Sequence, residues 1–277
     1  MRVPVRAEHD REVLAALLRR DPVLHAYQLG DLDDFFWPYT SWFRRGEQVA
    51  LLYHGVQPPV LLAFAAPADL PELAALVAEL APVLPARLYA HLSPGLEGVL
   101  GRWYRVGSAG AHHRMALTDR ARLAGVAPAG EVLGRGDLPE LRALYAAAYP
   151  GNWFDERMLD TGRYVGVRRG GDLVAVAGVH VHSPTYRVAA LGNVTTRPAV
   201  RGQGLAGAVV AALCGRLVTE VDHVTLNVRC DNVAAVRLYE RLGFTRVADY
   251  GEHTLTVLDR ARQSATSRSH AGSTTRP

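Results

Sequence analysis

The chain is 277 residues long, room for two domains at roughly 100–200 residues each, and its 49% apolar and 21% charged residues exclude disorder along most of that length. The formal charge of +4 comes from 31 basic residues, all arginine and scattered along the chain, against 27 acidic ones, which argues against a nucleic-acid partner. No apolar run approaches the roughly 20 residues of a membrane span, and Cys214 and Cys230 alone cannot staple a fold of this size, so a reduced cytoplasmic protein with no membrane partner is expected.

Apolar alternation predicts a strand at Val60–Ala65. A three-to-four spacing (Leu70, Leu73, Leu76, Val77, Leu80) then predicts a helix. A strand (Arg87–Leu92), a short helix (Gly95–Trp103) and a strand (His112–Leu117) follow. Asp119–Gly130, rich in Ala, Gly and Arg, reads as a linker, with the domain boundary near residue 125. Beyond it, Asp137 is placed to cap a helix at Leu138–Tyr149, with Pro139 in the first turn. Strands Tyr164–Arg169 and Leu173–His182 flank Gly170-Gly171, a tight hairpin signal. The order strand Val188–Thr196, helix Gly204–Leu217, strand His223–Val228, helix Asn232–Leu242, strand Thr245–Val257 then repeats that of the first half. The expected division is 1–125, 126–259 and a disordered tail at 260–277 that lacks large apolar residues. All of this describes a mixed α/β fold.

The sharpest local signal is Arg201-Gly202-Gln203-Gly204-Leu205-Ala206-Gly207. Its glycines satisfy G-x-G-x-x-G, but two features exclude a dinucleotide-binding turn. Arg197–Arg201 separate the glycines from the strand end, and no acidic residue ends the next strand. No Gly-Lys-Ser/Thr follows, which excludes a Walker P-loop. What remains is physical. Small residues at 202, 204, 206 and 207 let a ligand approach the backbone, and consecutive N–H groups at a helix start bind anionic oxygens.

Two segments in order and spacing carry a resemblance. Arg197 to Ala206 reads x-Pro-x-x-Arg-Gly-x-Gly-x-Ala after a strand, and Asn232 to Phe244 reads Asn-x-x-Ala-x-x-Leu-Tyr-x-x-x-Gly-Phe. The sequence here resembles the GNAT superfamily of acetyl-CoA-dependent N-acyltransferases, over about residues 131–258. The first half shares only the order of elements, so two tandem lobes are expected, the N-terminal one a degenerate GNAT-like repeat. The resemblance implies that the pyrophosphate of coenzyme A rests on the backbone of Arg201, Gly202, Gln203, Gly204, Leu205, Ala206 and Gly207. It also implies that the pantetheine arm pairs with Val194, Thr195 and Thr196, and that Asn227 and Asn232 line its path. Asn232 as a plain helix cap, and Arg201 as a surface ion-pair residue, are the competing readings.

Tyr239 lies at the family's tyrosine position within the second motif. A phenol there can assist thiolate departure, although it also reads as an amphipathic core residue beside Leu238 and Leu242. A lysine-like amine is mostly protonated near neutrality, so a base is useful, and His180 is the first candidate, ahead of His182 on the same strand face. Asn193, Asp155 and Glu156 are further candidates for the acceptor pocket. No metal site is expected, since no Cys, Asp or Glu completes a ligand set around the histidines, and Cys230 reads as an inert thiol without a local histidine partner. In the N-terminal lobe, Ala66–Pro71 replaces the glycine-rich turn, so no coenzyme A is expected there. Covering an acceptor groove or forming a homodimer interface are its expected uses. The function implied is acetyl transfer from acetyl-CoA to an amine acceptor; the alternative is a catalytically silent acyl-CoA-binding regulatory module.

Overall fold

The computed structural model describes residues 4–258, so the expected tail at 260–277 lies outside the described residues. In chain order the first elements are β1 (Arg6–Ala7), α1 (Arg11–Leu18), α2 (Ala26–Gly30), β2 (Thr40–Arg45), β3 (Gln48–Tyr53), β4 (Val60–Ala63), α3 (Leu70–Leu80), β5 (Arg87–Leu92), α4 (Leu96–Leu100) and β6 (Tyr104–Leu117). They continue with β7 (Glu131–Val132), α5 (Leu138–Ala148), β8 (Val165–Arg169), β9 (Asp172–Ser183), β10 (Val188–Thr196), α6 (Leu205–Leu217), β11 (His223–Arg229), α7 (Val233–Arg241) and β12 (Phe244–Val257). Among the described residues no helix is long and apolar enough to cross a membrane.

The chain forms two units, and neither is contiguous. Unit 1 takes the residues through Leu17, Phe36–His112 and the chain from Asp249; unit 2 takes Leu18–Phe35 and His113–Ala248. This differs from a boundary near residue 125 in the linker. The division falls instead inside two long strands, β6 and β12, because strand pairing rather than chain order decides which residues cluster.

In unit 1, β1 to β4 pair antiparallel in sequence order. The β4–β5 pair is parallel, and the Gly251–Thr256 stretch of β12 pairs antiparallel with β5. A parallel pair needs a crossover, and α3 supplies it. Leu73, Leu76, Val77 and Leu80 recur at helical spacing and are buried against Leu61, Ala63, Leu88 and Ala90 of the two strands. At about 1.5–3 kcal/mol per buried side chain, this stripe stabilises the crossover by roughly 6–12 kcal/mol before chain entropy is counted.

Unit 2 repeats the device. The strands β7, β8, β9 and β10 pair antiparallel, and β10 runs parallel to β11 with α6 as the crossover. The β8–β9 turn is the two-residue loop expected, with Gly170 at φ 59° and Gly171 at φ 90°, a conformation only glycine adopts readily. Leu205, Val209 and Leu213 of α6 are buried as their spacing predicts. Asp137 departs from its expected role as a side-chain cap of α5: its carboxylate accepts the Gly134 N–H at 2.8 Å and pairs with Arg168.

Candidate active site

The site begins where two parallel strands part. Val188 to Leu191 of β10 are in register with His223 to Leu226 of β11, and the pairing stops there. On its other side β10 stays bonded to β9, but the register jumps between Gly192 and Thr195, so two residues of β10, Asn193 and Val194, face one of β9. Asn193 takes φ 55°, a left-handed conformation that asparagine tolerates better than most residues. A buried network holds this bulge. The Tyr145 hydroxyl donates to the Asn193 carbonyl at 3.1 Å, the Asn193 amide donates to the Tyr164 hydroxyl at 3.1 Å, and that hydroxyl donates to Val179 O at 3.1 Å. Burial pushes both phenols above their ordinary range, so they remain donors at neutral pH. Asn193, a candidate for the acceptor pocket, is thus committed to holding the strand's shape.

Beyond the bulge, Val194 is half-buried, and Thr195 and Thr196 are buried. The Thr196 hydroxyl has no hydrogen-bond partner among the described residues. The chain then turns through Pro198–Val200 into the glycine-rich segment. Gly202 (φ 77°) and Gly204 (φ 79°) are both left-handed, and a Cβ on either would meet open space. These glycines are therefore required by backbone conformation, not by crowding. Gly204 precedes α6 with no side-chain cap, and the first helical turn leaves its N–H groups pointing outward. The positive end of a 13-residue helix dipole adds to them, which makes an anion cradle.

The side chains of several residues of the expected cofactor set are engaged within the protein. Arg201 directs its guanidinium at the carbonyls of Thr196 (3.1 Å) and Ala148 (3.2 Å), so it ties the turn to the end of β10 and of α5. Gln203 accepts a hydrogen bond from Arg169. Gly207 is a packing glycine: a Cβ there would lie 3.3 Å from Leu238 of α7. Asn227 accepts from Arg114 Nε at 3.2 Å, and Asn232 caps α7 by accepting from the Ala235 N–H at 3.2 Å. Asn232 therefore fulfils the capping reading, with its amide N–H₂ left to face outward. Leu205 is buried under the turn, and Ala206 is half-buried beside it.

Tyr239 is buried on α7, its ring edge-on to Phe244 at 5.8 Å. Its hydroxyl makes no hydrogen bond among the described residues. Burial raises its pKa well above the ordinary phenol value, with Tyr149 and Cys214 adding to the shift. His180 of β9 lies over Gly192, the first residue of β10 beyond its pairing with β11: a Cβ on Gly192 would fall 2.0 Å from its imidazole, and Tyr27 of α2 approaches the ring at 6.4 Å. His182 is drawn off to Glu220, 2.8 Å away; burial lowers its pKa, against the pull of that carboxylate. Asp155 binds Arg157, and Glu156 pairs with Arg142, so both candidate acidic residues have internal partners. Cys230 has no local histidine partner, but its Sγ lies 3.4 Å from His113 Nδ1, 117 positions away, which no local motif could reveal.

Unit 1 carries the same parallel pair without the opening. Where β4 and β5 end, buried Ser93 closes the gap: its N–H donates to Ala63 O at 3.0 Å, its hydroxyl accepts the Ala65 N–H at 3.1 Å, and the same hydroxyl donates to Ala65 O at 3.3 Å. Pro67 and Pro71 then replace two N–H groups of the following turn.

Residues 164–253 match a family model described as FR47-like protein, and this span contains the fork, the turn, α6 and α7. A search of curated proteins found no match. The fold is that of GNAT acetyltransferases. A GCN5-related N-acetyltransferase from Kribbella flavida is similar at TM-score 0.55 and 20% identity, covering 84% of this chain and 93% of that one. An acetyltransferase of the GNAT family from Colwellia psychrerythraea aligns at TM-score 0.55 and 14% identity, over 92% of this chain and 100% of the other. A tandem GNAT protein from the clavulanic acid biosynthesis pathway reaches TM-score 0.57 at 15% identity, over 92% and 98% of the two chains. The mixed α/β architecture expected from the two motifs is thereby established, and a GNAT tandem is among the similar structures.

Proposed function

We propose that the protein transfers an acetyl group from acetyl-CoA to an amine acceptor, with unit 2 as the catalytic unit. The observation that carries this reading is the opening between β10 and β11 beside the uncapped start of α6. An extended arm with amide groups fits an unpaired strand edge, and a pyrophosphate fits a helix start whose N–H groups lack partners. The residues fit such a cosubstrate on two further counts: the unpartnered Thr196 hydroxyl and the open space above Gly202 and Gly204. Each backbone N–H to a charged phosphate contributes on the order of 1.5–3 kcal/mol, so a few of them anchor the cosubstrate.

Direct attack of the amine on the thioester forms a tetrahedral intermediate, from which the thiolate must leave. The environment of Tyr239 defines how it helps. A phenol held above 10 is a weaker acid than a thiol near 8.5, so complete proton transfer to the departing sulfur is uphill. Donating a hydrogen bond to developing negative charge needs no such transfer, and that is the role assigned to Tyr239. His180, over Gly192 where β10 leaves β11, is the residue we assign to take the proton from the attacking amine. The test is turnover of acetyl-CoA with a panel of primary amines, read as free thiol. Thiol release that requires the amine supports the reading. Tight coenzyme A binding with no turnover of any amine would replace it with a silent binding module.

A further inference from the structure

Residues Leu18–Phe35 come early in the chain yet cluster with unit 2. Within them, α2 lies on β9: Gly30 comes so close to Val181 that a Cβ would fall 1.9 Å from its Cγ1. Val181 follows His180, whose imidazole covers Gly192 at the fork and faces Tyr27 of α2. Asp31 ends this helix, its N–H donating to Tyr27 O at 2.9 Å. The residue is 7% exposed, and its carboxyl makes no hydrogen bond or ion pair among the described residues. A carboxyl in such a place lacks every ordinary compensation, and it sits at the helix end where the dipole disfavours negative charge.

We propose that Asp31 is the acceptor-binding carboxyl of unit 2, receiving the ammonium group of the amine substrate beside Tyr27 and His180. This rests on the acyl-transfer reading above. It supplies what the expected acidic candidates do not, since Asp155 and Glu156 already hold arginines. Ionisable groups around α2 bond residues other than Asp31. On the α2 side, His25 bonds Gln28 at 2.7 Å; on β9, His182 holds Glu220; and Arg114 reaches Leu24 O and Asn227. None of them neutralises Asp31. Burial pushes the Asp31 carboxyl up to about 8, so in the free protein it is largely protonated, and an arriving cation restores its charge.

The test is carbon-detected NMR of the Asp31 side-chain carboxyl in the full chain, assigned by backbone connectivity, with n-propylammonium chloride as probe and n-propanol and sodium chloride as controls. Propylammonium should move the resonance and lower its titration midpoint, while both controls leave it in place. Asp31→Asn should weaken propylammonium binding at least tenfold. A resonance that ignores propylammonium, or an asparagine variant that binds it equally, overturns the proposal. Should the variant fail to fold, the wild-type titration still decides. Coenzyme A binding measured on the same sample separates the two readings: bound coenzyme A with a silent Asp31 removes this inference alone, whereas no coenzyme A binding removes the reading on which it rests.

Discussion

Replacing Gly204 by Asp, with Gly204→Ala as its control, isolates the electrostatic part of the cradle. Gly204 sits at φ 79° with open space where a Cβ would go, so neither variant clashes and each carries a left-handed cost of about 1–2 kcal/mol, the smaller for aspartate. That difference works against the predicted loss and cannot mimic it. The aspartate adds one negative charge at the first turn of α6, where a pyrophosphate would sit. At about 5 Å and an effective dielectric near 20, one like-charge pair is worth roughly 3 kcal/mol, or on the order of 100-fold in affinity. Calorimetric titration of coenzyme A into the two folded variants at low salt, where screening is weak, reads this difference directly. Alanine and aspartate variants that bind coenzyme A equally well would falsify the placement of the phosphates on this helix start.

Tyr239→Phe keeps the ring against Phe244 and removes only the hydroxyl; kcat should fall about 10-fold, with acetyl-CoA affinity nearly unchanged, in steady-state assays. An unchanged kcat with chemistry rate-limiting would return Tyr239 to a packing role. Coenzyme A should bind with a stoichiometry of one per chain by calorimetry, because the Ser93 bonds occupy in unit 1 the gap that stays open in unit 2. Two equivalents would contradict that contrast. Asp31 affects stability through protonation: burial holds its folded pKa at about 8, above the ordinary 3.8 of an aspartate, so its contribution is fully present at acid pH and is lost as pH rises from about 4 to about 8. Asp31→Asn should therefore leave Tm unchanged near pH 4 and raise it at pH 9, and equal Tm values at pH 9 would show that the carboxyl is not desolvated.

What was legible in the sequence was what is written locally. The turn from Arg201 to Gly207 and the helix from Asn232 carry their geometry in short contiguous stretches, because left-handed glycines and an asparagine cap act within one turn. The alternation of Val188–Thr196 likewise gave the bounds of β10. Illegible were features that depend on partners far along the chain. Nothing in Gly207 distinguishes a ligand-facing glycine from one that admits Leu238, and Ser93 reads as an ordinary turn residue until Ala63 and Ala65 are brought to it. Asn193 could have been suspected, since asparagine is enriched at positive φ, but its bulge is fixed by Tyr145 and Tyr164 from other elements. The hairpin of β2 and β3 around Gly46 was missed outright. So was the membership of Leu18–Phe35 in unit 2, which no periodicity in that stretch betrays.

The interleaving of the two units sets an order of events during synthesis. Unit 2 is complete once Ala248 has left the ribosome, although unit 1 began first. Strand β5 then still lacks its second neighbour, since residues Gly251–Thr256 of β12 are made only after unit 2 is complete. At roughly 5–20 residues per second, the bare edge of Arg87–Leu92 waits on the order of ten seconds for that strand. An unpaired edge of this kind is a template for pairing with other chains, so the nascent protein is exposed to aggregation through most of the synthesis of unit 2, which fills that wait.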